Sequence, residues 1–204
     1  MFGKVFGKNI LVSGFLLLGA ALAPAQVAEF GVHGGASRLQ GEHLGSLALS
    51  PGSVVRVSLK DGWRFGFRMT FNNWRFFGHE LGYAYNRTQL RFESTPPEQA
   101  GMAIHQGFYN FLVYALPEGS PVRPFAAGGG HFSNFTPPGA SASQGGGSNK
   151  FGLNYGGGVK IRVSPRFVVR LDVREYLTGK PFDLPGVSGS LRQLEISAGF
   201  SFVM

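Results

Sequence analysis

The stretch from Trp63 to Phe71 alternates large apolar side chains with small, polar or charged ones at every position. Because successive side chains of a β-strand point to opposite faces, it predicts a strand with one apolar face and one polar, partly charged face. In a soluble sandwich the apolar face points inward. In a transmembrane barrel the faces are reversed, with aromatic residues toward lipid and Arg64 and Arg68 toward a closed polar interior. The rest of the chain decides between these two architectures.

Seven further segments show the same two-faced alternation. In most of them aromatic and aliphatic side chains occupy one face, while Gly, Arg, Glu and other polar residues occupy the other. A soluble sandwich has no reason to repeat that combination in strand after strand, so the pattern favours a membrane barrel. The eight predicted strands are 27–36, 62–71, 75–87, 102–115, 122–132, 151–163, 169–174 and 193–202.

The connections between these strands alternate in length. Short links follow the second, fourth and sixth strands, whereas longer segments follow the first, third, fifth and seventh. Short periplasmic turns and long outer loops are typical of outer-membrane barrels. The sequence therefore predicts an all-β fold: a closed eight-stranded antiparallel up-and-down transmembrane β-barrel with both termini on the periplasmic side.

The long first connection, 37–61, allows two interpretations. Its segment Ser53–Leu59 alternates with the same parity as Trp63, which favours an extension of the second strand beyond the membrane. The alternative is an extra hairpin within about residues 45–60, which would give ten strands. A later connection, 133–149, is rich in Pro, Gly, Ser and Ala and has no charged residue, so we expect it to be flexible.

The N-terminus has the layout of a secretory signal peptide. Lys4 and Lys8 precede an almost wholly apolar run at 10–22, and Ala23-Pro24-Ala25 fits a cleavage site of small residues. The run of about 13 residues is too short for a membrane-spanning helix, which needs roughly 20. We therefore expect a signal peptide at 1–25, cleaved after Ala25, and one outer-membrane barrel domain at 26–204.

The charge and the cysteine content exclude other classes of protein. The formal net charge is +8, and loss of Lys4 and Lys8 lowers it to +6. Such basicity can indicate nucleic-acid binding, but the arginines recur at alternate strand positions and form no basic run. Secretion also separates the chain from nucleic acid, so no such partner is expected. The absence of Cys excludes structural disulfides and a lipid-anchored cysteine.

The predicted inward face collects charges of both signs. An eight-stranded barrel is only wide enough for side chains to fill it, and an isolated buried charge costs far more than a paired one. We therefore predict a polar plug in which Glu29 and Glu80 neutralise Arg64 and Arg68; a narrow pore, gated by a change of ion-pair partners, is the alternative. The predicted network comprises Glu29, Arg64, Arg68, Glu80, Lys160, Arg162, Arg170, Asp172, Arg174 and Glu195.

Taken together, these features resemble the small outer-membrane β-barrel proteins of the OmpA/OmpX-like group over residues 27–204. The resemblance implies a location in the bacterial outer membrane. Unlike full-length OmpA, no peptidoglycan-binding segment follows the barrel, so no cell-wall tether is expected. The segments that carry the resemblance are Phe65–Asn72, His79–Asn86, Val122–Gly130, Asn154–Lys160 and Val169–Tyr176.

We expect a monomer with a structural or surface-interaction role, in contact with outer-membrane lipids and lipopolysaccharide. The last strand, in which Leu194, Ile196, Ala198, Phe200 and Phe202 share a face, resembles the signal by which the outer-membrane assembly machinery recognises barrels. That signal usually ends in a terminal aromatic residue, whereas two further residues follow Phe202 here. The assembly machinery is therefore a second expected partner.

One motif raises an enzymatic alternative. His131-Phe132-Ser133-Asn134 resembles the His-x-Ser-Asn element of the lipid A 3-O-deacylases, eight-stranded barrels in which a His activates a Ser that attacks an ester. In a strand His131 and Ser133 share a face, as that chemistry requires. However, no acidic residue lies between Glu118 and Asp172 to orient the His, and the motif falls at the end of a predicted strand. We therefore expect no catalysis.

The remaining motifs predict no metal or cofactor. His33, His43, His79 and His105 lack the spacing of metal ligands and have no Cys or dense carboxylate cluster beside them. The glycine runs 128–130 and 156–158 do not lead into a predicted helix, as a phosphate-binding loop must. Glycine on the inner face of a small barrel needs no ligand to explain it.

Overall fold

The computed structural model describes residues 27–40, 43–50, 53–94, 96–182 and 189–204. The predicted signal peptide lies outside these residues. Within them, no helix is long and apolar enough to cross a membrane. The elements are β1 (Val27–Gln40), β2 (His43–Ser50), β3 (Ser53–Leu59), β4 (Gly62–Trp74), β5 (Phe77–Phe92), β6 (Glu98–Tyr114), β7 (Val122–Thr136), a 3₁₀ turn (Ala142–Gln144), β8 (Ser148–Arg162), β9 (Phe167–Gly179) and β10 (Ser190–Val203).

Eight of these strands close into an antiparallel barrel. The order around the ring is β1–β4–β5–β6–β7–β8–β9–β10, and β10 returns to β1, where Phe30 pairs with Phe202 and Arg38 with Leu194. Closure satisfies the backbone groups that an open sheet edge would leave unpaired, as a membrane-spanning sheet requires. The predicted closed eight-stranded barrel is confirmed.

The outer wall of the barrel is apolar and its interior is polar. Phe65 and Phe67 are 54% and 45% exposed, whereas Arg64 and Arg68, which alternate with them on β4, are 1% and 2% exposed. Outward aromatic rings also contact each other across strands; the centroids of Phe77 and Phe111 lie 5.7 Å apart. This arrangement reverses that of a soluble protein and is the one a lipid environment favours.

The two ends of the barrel differ. We call the end with the connections 75–76, 115–121 and 163–166 the turn end, and the opposite end the loop end. At the loop end β5 and β6 pair out to Phe92 and Glu98, so most of the predicted loop 88–101 is strand. β5 and β6 therefore extend beyond the predicted strand ends at Arg87 and Met102, and their backbone groups stay hydrogen-bonded to each other.

β3 combines the two interpretations of the segment Ser53–Leu59. It continues the pairing of β4 along β5, as the predicted extension requires, and it also forms the alternative hairpin with β2. β3 pairs with β2 and, through Val57–Leu59, with β5. The apparent parity is misleading because the register against β5 shifts by one residue between Leu59, which pairs with Leu90, and Trp63, which pairs with Arg87. Such a shift turns the following side chains to the other face: Leu59 is 1% exposed, whereas Trp63 is 52% exposed. Asp61 lies at this shift of register, and its Oδ1 accepts a hydrogen bond from the backbone N–H of Leu39 at 2.9 Å.

An apolar cluster, here called the apolar cap, fills the loop end of the barrel beneath this hairpin. Leu44 comes from β2, and Val57 and Leu59 come from β3; the barrel strands supply the rest. Burial of each large side chain contributes about 1.5–3 kcal/mol, so the hairpin is held by hydrophobic packing as well as by strand pairing. The buried members are Leu39, Leu44, Val57, Leu59, Leu90, Met102, Ile104, Phe135 and Leu191.

Candidate functional site

A cluster of buried charges occupies the middle of the lumen. The carboxylates of Glu80 and Asp172 face the guanidinium groups of Arg68, Arg170 and Arg174, and all five residues are at most 3% exposed. Alternation on β4, β5 and β9 directs these side chains inward. In a water-poor interior, only mutual pairing offsets the loss of their hydration.

The two carboxylates of this central cluster are shared among the three arginines. Arg174 Nη2 lies 2.7 Å from Glu80 Oε1 and 3.0 Å from Asp172 Oδ1. Arg170 Nη1 lies 2.5 Å from Glu80, and its Nε lies 2.9 Å from Asp172. Arg68 Nη1 lies 3.0 Å from Asp172 and 3.9 Å from Glu80. The cluster therefore links β4, β5 and β9 through the lumen.

Two simpler ion pairs flank the central cluster. Toward the turn end, Lys160 Nζ donates to both carboxylate oxygens of Glu29 at 2.9 and 2.8 Å, and Asn72 Nδ2 donates to Glu29 at 2.8 Å. Toward the loop end, Arg64 Nη1 lies 3.0 Å from Glu195 Oε2, which also accepts from the Tyr176 hydroxyl at 2.9 Å. Each of these carboxylates thus has a cation and a neutral donor.

A ring of three amides lies between the ion pairs and the apolar cap. Asn86 Nδ2 donates to Gln106 at 2.8 Å, Gln106 Nε2 donates to Gln193 at 2.9 Å, and Gln193 Nε2 donates back to Asn86 at 3.0 Å. Gln106 and Gln193 also donate to the hydroxyls of Ser133 and Ser37. The three amides come from β5, β6 and β10, so this neutral layer crosses the lumen.

Aromatic rings and glycines shape the space around the charges. The guanidinium carbon of Arg170 lies 4.3 Å from the Phe125 ring centroid, and that of Arg64 lies 4.8 Å from the Tyr176 ring; such contacts favour a cation. A Cβ on Gly156 would lie 3.0 Å from Cγ of Arg174 and 2.2 Å from the Val173 carbonyl oxygen. Glycine here therefore leaves room for the arginine stem.

The structure places the predicted inward charges as follows. Nine of the ten lie in the buried lumen, and Arg162 lies at the turn-end rim, where its Nη2 is 3.0 Å from Glu118. The pairing differs from the prediction for Arg64 and Glu29, which contact Glu195 and Lys160 instead. The cause is geometric, because strand tilt and stagger decide which residues meet across a barrel.

Other lumen residues were not recognised in the sequence. Arg123, on β7, is 3% exposed, forms an ion pair with Glu118 and lies with its guanidinium carbon 3.7 Å from the Tyr114 ring centroid. Strand parity could have identified Arg123, since it alternates with Val122 and Pro124. Glu118 lies in the turn between β6 and β7, where no parity rule applies. The amide ring had no signal beyond the inward positions of its members.

The histidine motif lies inside the lumen on β7, which continues past it to Thr136. His131 and Ser133 share the inward face but have different partners: His131 Nε2 lies 2.8 Å from the Thr178 hydroxyl, and Ser133 accepts a hydrogen bond from Gln106 at 3.1 Å. Ser133 is fully buried. No hydrogen bond joins His131 with Ser133 or with a carboxylate in the part of the chain that the structure describes.

The described residues contain no group of three or more His, Asp or Glu that could hold a metal ion. The histidine side chains are scattered instead. His33 accepts a hydrogen bond from Arg68 Nε at 3.3 Å in the lumen, whereas His79 and His105 contact Tyr109 and Tyr83 on the outer wall.

Comparison with known proteins gives a family match. Residues 13–202 match the family model described as the outer membrane protein beta-barrel domain. No curated protein sequence matches the chain significantly.

Several solved structures share the fold at low sequence identity. The outer membrane protein OprG of Pseudomonas aeruginosa is 14% identical with a TM-score of 0.60, covering 87% of this chain and 96% of its own. The N-terminal β-barrel domain of OprF, also from Pseudomonas aeruginosa, is 13% identical with a TM-score of 0.52, covering 87% and 97%. Neisserial surface protein A is 16% identical with a TM-score of 0.53, covering 87% and 95%.

Proposed function

This chain belongs to the outer membrane protein beta-barrel domain family and is a protein of the bacterial outer membrane. From that premise we propose that it is a monomeric barrel with a structural or surface-interaction role, a plugged lumen and no catalytic activity. The loop end, with the β2–β3 hairpin, faces the outside of the cell in this proposal. The turn end, where β1 begins and β10 ends, faces the periplasm in this proposal.

The observation that carries this proposal is the filling of the lumen by successive layers. From the turn end these are the Lys160–Glu29 pair, the central arginine cluster, the Arg64–Glu195 pair, the amide ring and the apolar cap. Charges, amides and apolar side chains in one narrow lumen leave little space for a continuous water column. Such a filled interior suits a protein that acts through its surface rather than by transport.

Liposome swelling tests this proposal. Liposomes that contain the purified, folded barrel should swell no faster in small sugars than protein-free liposomes, while a general porin in parallel liposomes swells rapidly. Folding is checked by the shift in gel mobility that heating causes in intact barrels. Swelling comparable to that of the porin, from a preparation that passes this check, would overturn the plugged lumen.

A narrow gated pore is the second candidate, and the central cluster favours it in one respect. Arg68 Nη1 contacts Asp172 at 3.0 Å and lies 3.9 Å from Glu80, so a small displacement would exchange its carboxylate partner. Three guanidinium groups facing two carboxylates would make such a pore anion-selective. Voltage steps across a planar bilayer test it; reversible opening with anion preference would favour the pore over the plug.

The last strand supports assembly by the outer-membrane barrel machinery. Ile196, Phe200 and Phe202 are 46%, 57% and 40% exposed on the outer face of β10, which forms the closing seam with β1. We propose that the assembly machinery recognises this face of β10 before the barrel closes between β10 and β1. Replacement of Phe200 and Phe202 by Ser should lower the folded fraction in outer membranes; the same replacement of Phe65 and Phe67 controls for lost lipid contact.

A further inference from the structure

The outer wall has an apolar groove on the side formed by β1, β10, β9 and β8. Its volume is about 570 Å³. One row of its lining crosses all four strands through the paired residues Gly34, Ala198, Leu171 and Val159. On the other side of Gly34, β4 places Phe65 directly opposite. The two small residues therefore leave an indentation beside a large aromatic side chain.

Packing of the barrel itself does not require residue 34 to be glycine. A Cβ on Gly34 would come no closer than 3.5 Å to its nearest atom, the carbonyl oxygen of Arg64, which is an ordinary contact. By contrast, a Cβ on the inward neighbour Gly35 would lie 2.1 Å from the carbonyl oxygen of Ile196. The missing side chain at Gly34 thus shapes the outer surface, not the interior.

Two cations lie on the same strands at the loop end of the groove. Arg38 follows Ala36 on the outward face of β1 and is opposite Leu194, while Arg192 is opposite Gln40. Arg38 and Arg192 are therefore diagonal neighbours, about 7–8 Å apart at the backbone. Within the described residues Arg38 has no ion-pair partner, whereas Arg192 pairs with Glu175 and keeps 53% of its side chain exposed. Arg38, Arg192 and Glu175 together carry a net charge of +1.

We propose that this groove binds one acyl chain of lipid A, the phosphate-bearing part of lipopolysaccharide, with a lipid A phosphate between Arg38 and Arg192. An acyl chain fills an apolar indentation in the lipid-facing wall, and guanidinium groups bind phosphate through charge-assisted, often bidentate hydrogen bonds. The apolar floor and the cations occur in the order in which an outer-leaflet lipid presents its chain and its headgroup. The proposal rests on the orientation proposed above, with the loop end outward.

Native mass spectrometry of the folded barrel in detergent tests the site, with bisphosphorylated lipid A as the probe. One lipid A should remain bound per barrel at low lipid concentration. The double variant R38Q/R192Q should bind at least about tenfold more weakly, which corresponds to about 1.4 kcal/mol or more, because it removes both cations that hold the phosphate. Dephosphorylated lipid A should bind wild type and double variant equally.

Matched controls separate the site from general attraction. Arg87→Gln also removes a cation near the loop end of the outer wall. The Arg87 guanidinium lies over Gly101 of β6, away from the groove, so lipid A binding should persist in this variant. Gly34→Phe fills the groove and should weaken binding, whereas Gly128→Phe on the outer face of β7 should not; a Cβ there would be 4.0 Å from its nearest neighbour.

Equal affinity of the wild type and both site variants, each with normal heat-dependent gel mobility, would overturn the proposal. A loss of lipid A affinity in Arg87→Gln equal to that in R38Q/R192Q would also overturn it, since the phosphate would then be attracted by the overall positive charge and not by a specific pair of arginines. Binding in detergent does not depend on which way the barrel crosses a membrane. A failed binding experiment therefore argues against the site itself and leaves the proposed orientation and the plugged lumen in place.

Discussion

Arg174 on β9 donates a hydrogen bond to Glu80 on β5 at 2.7 Å, and these two strands lie opposite each other in the eight-membered ring. A single ion pair thus connects opposite walls of the barrel. The same arginine also contacts Asp172 on its own strand at 3.0 Å. Since both carboxylates are shared with Arg170, the central cluster acts as a brace across the lumen rather than as a set of separate pairs.

Loss of one carboxylate from this brace should destabilise the barrel strongly. Glu80→Gln leaves Arg170 and Arg174 with an uncompensated buried charge, and breaking a buried pair in this way costs about 3–5 kcal/mol. We expect a matching decrease in the free energy of unfolding, measured by urea titration in lipid vesicles. Glu98→Gln is the control, because Glu98 is exposed at the start of β6. Equal unfolding midpoints for the two variants would contradict the brace.

The hairpin should detach when its apolar contact is lost. Leu59 is 1% exposed within the apolar cap, whereas Val54 on the same strand is 68% exposed. Leu59→Asn should therefore increase protease cleavage between residues 41 and 60, and Val54→Asn should not. The eight-stranded ring should keep its heat-modifiable mobility in both, since the hairpin is not part of it. Resistance of Leu59→Asn to cleavage would show that strand pairing alone holds the hairpin.

The two tryptophans should mark the two edges of the lipid-facing band. Trp63 and Trp74 are exposed near opposite ends of β4. About 11 residues at roughly 3.3 Å each, tilted by about 40°, span roughly 28 Å, close to the apolar band of about 25 Å. In variants that keep only one of these two tryptophans, brominated lipids should quench its fluorescence most strongly when the bromine lies near the headgroup. The fluorescence of a Phe67→Trp variant without the natural tryptophans should be quenched most strongly by bromines deep in the acyl chains.

Replacement of the buried serine should leave lipid A chemically unchanged. Ser133 accepts its hydrogen bond from Gln106 and lies inside the wall, away from lipid esters. Lipopolysaccharide from cells that express the wild type or Ser133→Ala should therefore carry the same number of acyl chains by mass spectrometry. Release of a 3-hydroxy fatty acid by the wild type, abolished in Ser133→Ala and His131→Ala, would instead establish a deacylase.

Strand parity predicted much of the fold, and the reason is local. A side chain such as Phe65 or Arg64 points outward or inward according to its position along its own strand, and this information is contained in a few neighbouring residues. The inward placement of Glu80, Asp172 and Arg174 followed in the same way. Parity failed at Ser53–Leu59 because the register against β5 shifts by one residue at Lys60–Asp61. That shift depends on contacts with Leu39 and Gln89, which are distant in sequence.

The pairing of the lumen charges could not be predicted from alternation. Arg64 contacts Glu195 on β10, and Lys160 contacts Glu29, more than a hundred residues away. Such contacts depend on the tilt and stagger of the closed sheet, which set the height of each residue along the barrel axis. The amide ring of Asn86, Gln106 and Gln193 depends on the same geometry, and no charge pattern marks its members in the sequence.

Ion conductance across a planar lipid bilayer tests the plugged lumen most directly. The folded wild-type barrel, inserted at known density, should add no sustained current steps at moderate voltage, because ion pairs, amides and apolar side chains occupy successive levels of the lumen. A general porin inserted under the same conditions provides the positive control. Long-lived open steps from wild-type protein with normal heat-modifiable mobility would contradict a closed lumen.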